Sequence, residues 1–412
     1  MPELSGAGIF TGKNAFFRQQ PSPRRLKKQQ YKMRKLITFW VVIVAAVMMT
    51  GCGGKGKEAA SGEGAGVDMS PKYAKGFSVK QTDDGVRLVD VADPQTDEDK
   101  MPVSYHFALV EKGSDGAVPE GYVKVEVPVE RTIVMTMLQL SNFTALGAQD
   151  VIKGITGTKN LFDEDIKKRV KDGQVVKIGM EGDFDTELIL AANPEVIFIS
   201  PFKRGGYDVI KETGITLIPH FGYKEQDPLG QAEWIKYVAM FIGKEKEADA
   251  TFKGIEERYL AVKEKVSTAK ERPTVFSGEM HGGNWYAVGG KNHLAQIFRD
   301  AGAEYIIKDD NTGGVNIEYE KMYAMAANAD YWRILNSYPD EFSYDALKSS
   351  EPRNELFKAF KERHVIYCNM KKTPYYEKSP VMPDVLLSDL VAIFHPEVMP
   401  KDYKPTFYEL LK

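Results

Sequence analysis

The chain has 412 residues, 43% of them hydrophobic and 27% charged, a globular balance that excludes a disordered protein. Its formal net charge is -3 although the N-terminal leader is basic, so the remainder is more acidic still and carries no nucleic-acid footprint. The only cysteines are Cys52 and Cys368, which excludes a disulfide-stapled scaffold and leaves stability to packing.

Residues 1–32 carry Arg24, Arg25, Lys27 and Lys28 and show no sustained apolar periodicity. Translation starting at Met33 is one reading; an extended leader with a twin-arginine signal is the other, with Gln29 to Lys35 intervening before the apolar core. Met33-Arg34-Lys35 then supplies a positive start, Leu36 to Met49 is apolar apart from Thr38, and Met49-Thr50-Gly51-Cys52 closes the stretch. That run is shorter than the roughly 20 apolar residues of a membrane span. Residues 33–51 resemble a bacterial lipoprotein signal, which implies that Cys52 is lipidated and becomes the first mature residue. An ordinary cleaved signal peptide or an uncleaved anchor is the alternative. Residues 52–72 read as a flexible tether, rich in Gly, Ala, Ser and Glu. An exported part of about 360 residues suits two domains.

From residue 73 to 128, short alternating runs such as Gly85–Val91 and Tyr105–Val110 read as strands and hairpins added to a first lobe spanning 73–227. After Arg131 the rhythm becomes strand (132–136), helix (138–146), strand (151–155), helix (187–192), strand (196–200), helix (207–212) and strand (215–219). It returns in a second lobe, 273–412, with strands at 274–277, 331–335 and 365–368 and helices at 294–301, 322–327, 355–360 and 384–394. Strands alternating with short helices imply parallel sheets covered on both faces. Cys368, in an apolar strand, reads as a buried small hydrophobe. Between the lobes lies a helical linker, 228–272. Ala248, Phe252, Ile255, Tyr259, Val262 and Val266 alternate spacings of four and three, which predicts one amphipathic helix over 244–269, roughly 40 Å long. A coiled coil would show the same stripe, but fewer than four heptads between two α/β lobes favour a helix lying across both.

Three segments then resemble the substrate-binding lipoproteins of ABC importers whose lobes are joined by one long helix. They are Glu187 to Ile197, Gly289 to Tyr305, and Pro383 through Pro396. The resemblance implies two Rossmann-like lobes, no enzymatic activity, and a monomer working with an ABC permease and its ATPase. The family's cargo is ferric siderophores, haem and vitamin B12; an iron chelate is the expected ligand and cobalamin the alternative, with no tightly bound cofactor. It also implies a docking glutamate on each lobe that meets permease arginines. Glu187 matches on the first lobe, although a residue in the first turn after Asp185 also complements a helix dipole. Glu320 matches on the second, with Glu318 as competitor.

Ligands of open parallel sheets bind outside the carboxyl ends of the strands. That places Met135, Thr136, Phe202, Lys203, Arg204, Phe221 and Tyr223 at the cleft from the first lobe. The second contributes Met280, His281, Asn284, Trp285, Tyr338 and Lys371. Aromatic and Met side chains suit the walls of a large ligand. Lys203, Arg204 and Lys371 suit carboxylates or catecholates, with loop solvation as the plain alternative. His281 is either a hydrogen-bonding group or, with Tyr223 opposite, an axial haem ligand. His293 and His395 read as structural, and no paired His spacing suits a bare metal. The different-class alternatives are an exported α/β enzyme and a surface sensor; there is no G-x-S-x-G, H-E-x-x-H or post-strand G-x-G-x-x-G. Cys52→Ser should abolish lipid labelling and deplete the protein from the membrane fraction; unchanged labelling would refute the lipidation reading.

Overall fold

The computed structural model describes residues 67–412 apart from 96–103, 160, 181 and 202–206. Cys52 and the leader, with Phe202, Lys203 and Arg204, lie outside the described residues. No helix among the described residues is long and apolar enough to cross a membrane.

Two parallel sheets share one topology. In the first lobe the strands Thr132–Val134, Ile152–Ile155, Val196–Ile199 and Thr216–Pro219 pair in parallel, with the short Val176–Lys177 at the edge beyond Ile152–Ile155. In the second lobe Thr274–Ser277, Glu304–Tyr305, Tyr331–Asn336 and Val365–Asn369 do the same, with Glu409–Leu410 antiparallel at the far edge. With the edge strands Val176–Lys177 and Glu409–Leu410 left out and the other four numbered by chain order, both sheets read second, first, third, fourth. Central strands such as Val196–Ile199 and Val365–Asn369 are buried along their whole length, as a sheet covered on both faces requires. An acidic residue enters the third strand in each lobe. The Glu195 carboxylate accepts the Glu130 and Arg131 N–H groups at 2.7 and 2.9 Å, and the Asp330 carboxylate accepts the Thr274 N–H at 2.7 Å. Each ties the third strand's entry to that of the first.

The N-terminal extension is a four-stranded sheet of Phe77–Gln81, Arg87–Ala92, Ser104–Glu111 and Val123–Val127, antiparallel except for its last pair. It lies on a helix that the sequence reading left inside the linker. Pro228–Ile242 starts with Asp227 accepting the Leu229 and Gly230 N–H groups and ends at Gly243, whose φ of 68° a glycine adopts without strain. Nearly all of its 15 residues are buried, so its apolar run lacks the one-sided stripe that identifies a surface helix. It touches helix Met137–Ala145 of the first lobe and helices His293–Asp300 and Pro383–Phe394 of the second. The linker helix itself, Glu245–Val266, is 22 residues and about 33 Å long, shorter than expected. Ala248, Phe252, Ile255, Tyr259 and Val266 are its buried stripe, packed against Pro228–Ile242 and Pro383–Phe394. The helix expected over 355–360 is instead a 3-10 turn, Pro352–Leu356, and a short helix, Lys358–Lys361, because Phe357 between them is extended and fully buried.

Two carboxylates seal residues 72–76 onto the buried helix and the segment just before it. Glu233, with no exposed surface, accepts the N–H groups of Lys72, Tyr73 and Ala74 at 2.7–3.0 Å and the Lys236 ammonium at 3.0 Å. Glu225 accepts from Lys75, Gly76 and the Trp234 indole. Replacing Glu233 with Ala strands three backbone donors and a buried lysine. Breaking such a network costs about 3–5 kcal/mol. Urea unfolding of Glu233→Ala should show a loss of that order, with faster amide exchange at 72–74.

Candidate functional site

A sheet ordered second, first, third, fourth diverges between its first and third strands, and the loops leaving those strands open a crevice there. In the second lobe the crevice is a cavity of about 620 Å³. Its floor comes from the ends of Thr274–Ser277 and Tyr331–Asn336: Gly278, Glu279, Arg333 and Leu335. Gly278 must be glycine, because its φ is 98° and a Cβ would stand 1.9 Å from the Tyr286 carbonyl oxygen. That close approach starts the antiparallel sheet Glu279–His281, Asn284–Val288 and Gly314–Ile317, which forms one wall. The opposite wall is Tyr375 and Tyr376. Their helix, Tyr375–Lys378, packs against first-lobe helix Met137–Ala145, and Glu377 accepts the Phe162 N–H at 2.5 Å across the seam. One cavity wall is therefore also the contact between lobes.

Arg333 is the dominant charge, only 5% exposed. Its Nε and Nη2 donate to the Tyr408 hydroxyl at 3.0 and 2.6 Å, and Nη2 reaches the Tyr375 hydroxyl at 3.4 Å. No carboxylate pairs with it among the described residues. Burial raises the Tyr408 phenol well above its ordinary value, so this partner stays neutral. Glu279 accepts from the Asn336 amide at 3.3 Å, and burial pushes its carboxyl above the usual range. His293 also lines the cavity, its Nδ1 buried without a partner and its imidazole lowered to about 4 by burial. Among the described residues, no cluster of His, Cys, Asp and Glu could hold a metal ion.

Of the described cleft residues expected from sequence, His281 lines this cavity. Met135, Phe221 and Trp285 are 4%, 3% and 0% exposed and belong to the core, which corrects their placement as ligand walls. Trp285 points inward because burial alternates along Asn284–Val288; it packs in the ring cluster of Phe276, Trp332 and Phe357 and donates to the Ser277 carbonyl at 2.9 Å. Thr136 is a helix cap in a reciprocal capping box with Gln139. Tyr223 follows the fourth strand of the first sheet and donates to the Pro201 carbonyl at 2.8 Å. Met280 is half-buried, Asn284 sits exposed at the hairpin turn, Tyr338 packs at a tilt against Phe342, and Lys371 is exposed. His293 lines the cavity, against the structural role expected of it; His395 is buried with Nε2 at 3.4 Å from the Gly302 carbonyl. The reading missed Arg333, although a guanidinium inside the apolar strand Tyr331–Asn336 is a signal in itself, since buried charge demands a reason.

Glu187 and Glu320 occupy the same place in their lobes. Each is the second residue of a helix, Thr186–Ala191 or Tyr319–Ala326, that leads to the third strand. Helices in such folds run against the strands, so both begin at the carboxyl edge, the edge that carries the cavity. Glu318 takes the capping position, which Asp185 fills in the first lobe. Glu187 is exposed and makes no ion pair among the described residues; Glu320, with its side chain 80% exposed, meets Arg353 at 3.2 Å.

A family model described as periplasmic binding protein matches residues 133–371, and the chain belongs to that family. An uncharacterised lipoprotein of Methanocaldococcus jannaschii is 29% identical over 82% of this chain and 84% of its own length. A second from the same organism is 26% identical over 75% of this chain and 81% of its own. A periplasmic haem-binding protein from Pseudomonas aeruginosa superposes with a TM-score of 0.56 at 15% identity, covering 69% of this chain and 98% of that one. The TroA-like periplasmic binding protein FepB of Veillonella parvula gives 0.52 at 19% identity, over 69% and 96%. MolA of Haemophilus influenzae, bound to molybdate, gives 0.52 at 15%, over 66% and 87%. The two-lobe α/β architecture is thus the fold of these TroA-like periplasmic binding proteins.

His293 enters the folded state neutral, whereas in the unfolded chain it takes up a proton below about pH 6.5. The unfolded state therefore binds more protons between that pH and about 4, and the group subtracts stability as pH falls through this window. His293→Gln should lose less melting temperature than the parent between pH 6.5 and 4.5; parallel pH profiles would contradict this.

Proposed function

We propose that the protein captures an iron chelate, a ferric siderophore or haem, in its inter-lobe cleft and delivers it to an ABC permease. The observation that carries this reading is Arg333: a buried guanidinium lining a cavity at the strand switch point, whose hydrogen bonds among the described residues go to phenol hydroxyls. Such a group favours a ligand with an anionic group over the nearly uncharged corrin of vitamin B12. The resemblance to a haem-binding protein in fold is consistent with that ligand class. Cys52, lipidated, would hold the protein at the membrane, and lobes at 73–227 and 273–412 would rock on the helical segment 228–272 without catalysing a reaction.

In this reading Glu187 and Glu320 dock the two lobes onto permease arginines. Their equivalent positions support the choice of Glu320 over Glu318. Neither lines the cavity. Charge reversal at both, Glu187→Arg with Glu320→Arg, should leave ligand affinity within about twofold and cut uptake at least tenfold, because like charges facing each other at an interface cost several kcal/mol. Glu318→Arg should have the smaller effect on uptake. Uptake by the double variant equal to the parent's would remove the docking reading, while the absorption spectrum of protein mixed with haem, ferric siderophores and cobalamin tests the ligand class separately.

A further inference from the structure

The same cavity holds a second charge that the anionic-ligand reading does not use. Glu279 comes two residues after the first strand of the second sheet, and Arg333 lies in the third, with the intervening Gly278 N–H donating to the Arg333 carbonyl at 3.0 Å. Their backbones are thus fastened side by side, and both side chains line the cavity. Yet no ion pair joins them among the described residues. Each hydrogen-bonds a neutral partner instead, Arg333 the two tyrosine hydroxyls and Glu279 the Asn336 amide, and the two charges attract only through space. Arg333 Nη1 and Glu279 Oε1 make no hydrogen bond among the described residues. A buried arginine would gain most by meeting a carboxylate, since a buried charge without its counter-charge is costly. Held apart on one cavity wall, they present a positive and a negative end to whatever enters.

We propose that this pair is a dipolar recognition site, and that the ligand carries a zwitterionic head: a carboxylate for Arg333 and an ammonium for Glu279. The chemical class is an aminocarboxylate, as a free amino-acid-like molecule or as the pendant group of a metal chelate. The half-exposed rings of Tyr286 and Tyr376 on either wall suit the body attached to that head. The inference rests on the cavity being the ligand site, as proposed above, but not on docking or on the identity of the metal.

Its test uses charge-matched fragments, so that no chelate need be known. Dissociation constants of the purified protein are measured for ω-amino acids of four to six carbons, for carboxylates of the same lengths and for the corresponding alkylammonium ions. One zwitterion in the series should bind at least about tenfold tighter than either singly charged analogue, the gain of a second charge-assisted contact. Glu279→Gln should reduce that zwitterion to the carboxylate's affinity, and Arg333→Gln should reduce it to that of the ammonium. Should Arg333→Gln fail to fold, Glu279→Gln decides alone. Carboxylates binding as tightly as zwitterions, an unchanged order in Glu279→Gln, or no binding by any fragment up to solubility overturns the dipolar site. In each case the uptake experiment still judges the importer reading independently.

Discussion

The structure depends on one buried helix, Pro228–Ile242. It has almost no exposed surface and touches elements of the first lobe, the second lobe and the extension at once. Its aromatic face holds the extension through Phe77 on Trp234 and Phe107 on Phe241. The longer linker helix packs along it rather than standing alone between lobes. Two packed helices, meeting at the left-handed Gly243, resist bending more than one helix would.

That rigidity sets what the cavity can do. Its floor belongs to the second sheet and its far wall to Tyr375–Lys378, which is pinned to the first lobe by Glu377. A ligand drawing Tyr375 or Arg333 even slightly acts on the contact between lobes, because Tyr375 and Glu377 share one helical turn. The repeated strand order puts Glu187 and Glu320 at equivalent places on the cavity's edge of the molecule.

Much of the frame was legible because its signals are local. Alternation of strands and short helices gave both parallel sheets, and the strand Thr274–Ser277 has the predicted bounds. The buried helix was illegible as such: with every face covered, its sequence carries no periodicity to separate it from a connecting segment. The site was legible only as a region. Residues following the strands are near the cleft, but whether Trp285 or Tyr286 faces it depends on which phase of the hairpin is buried, and Gly278 sets that phase through a contact eight residues on. Arg333 escaped because the expectation looked past the strand ends, whereas its long side chain reaches the cavity from inside the sheet.

The seal formed by Glu225 and Glu233 also orders events in time. Lys72 donates to an acceptor 161 residues downstream, and Gly76 to one 149 residues downstream. Closing loops of that length is slow, and the entropy is lost before any contact rewards it. As the chain emerges N-terminus first, residues 75 and 76 lack these acceptors until Glu225 has been made, and residues 72–74 until Glu233 in the helix at 228–242 has. The extension must wait as well, since its apolar face rests on Trp234, Tyr237 and Phe241. Residues 72–76 are thus among the last of the described segments to settle, and a chain halted before residue 233 would leave residues 72–74 unsealed.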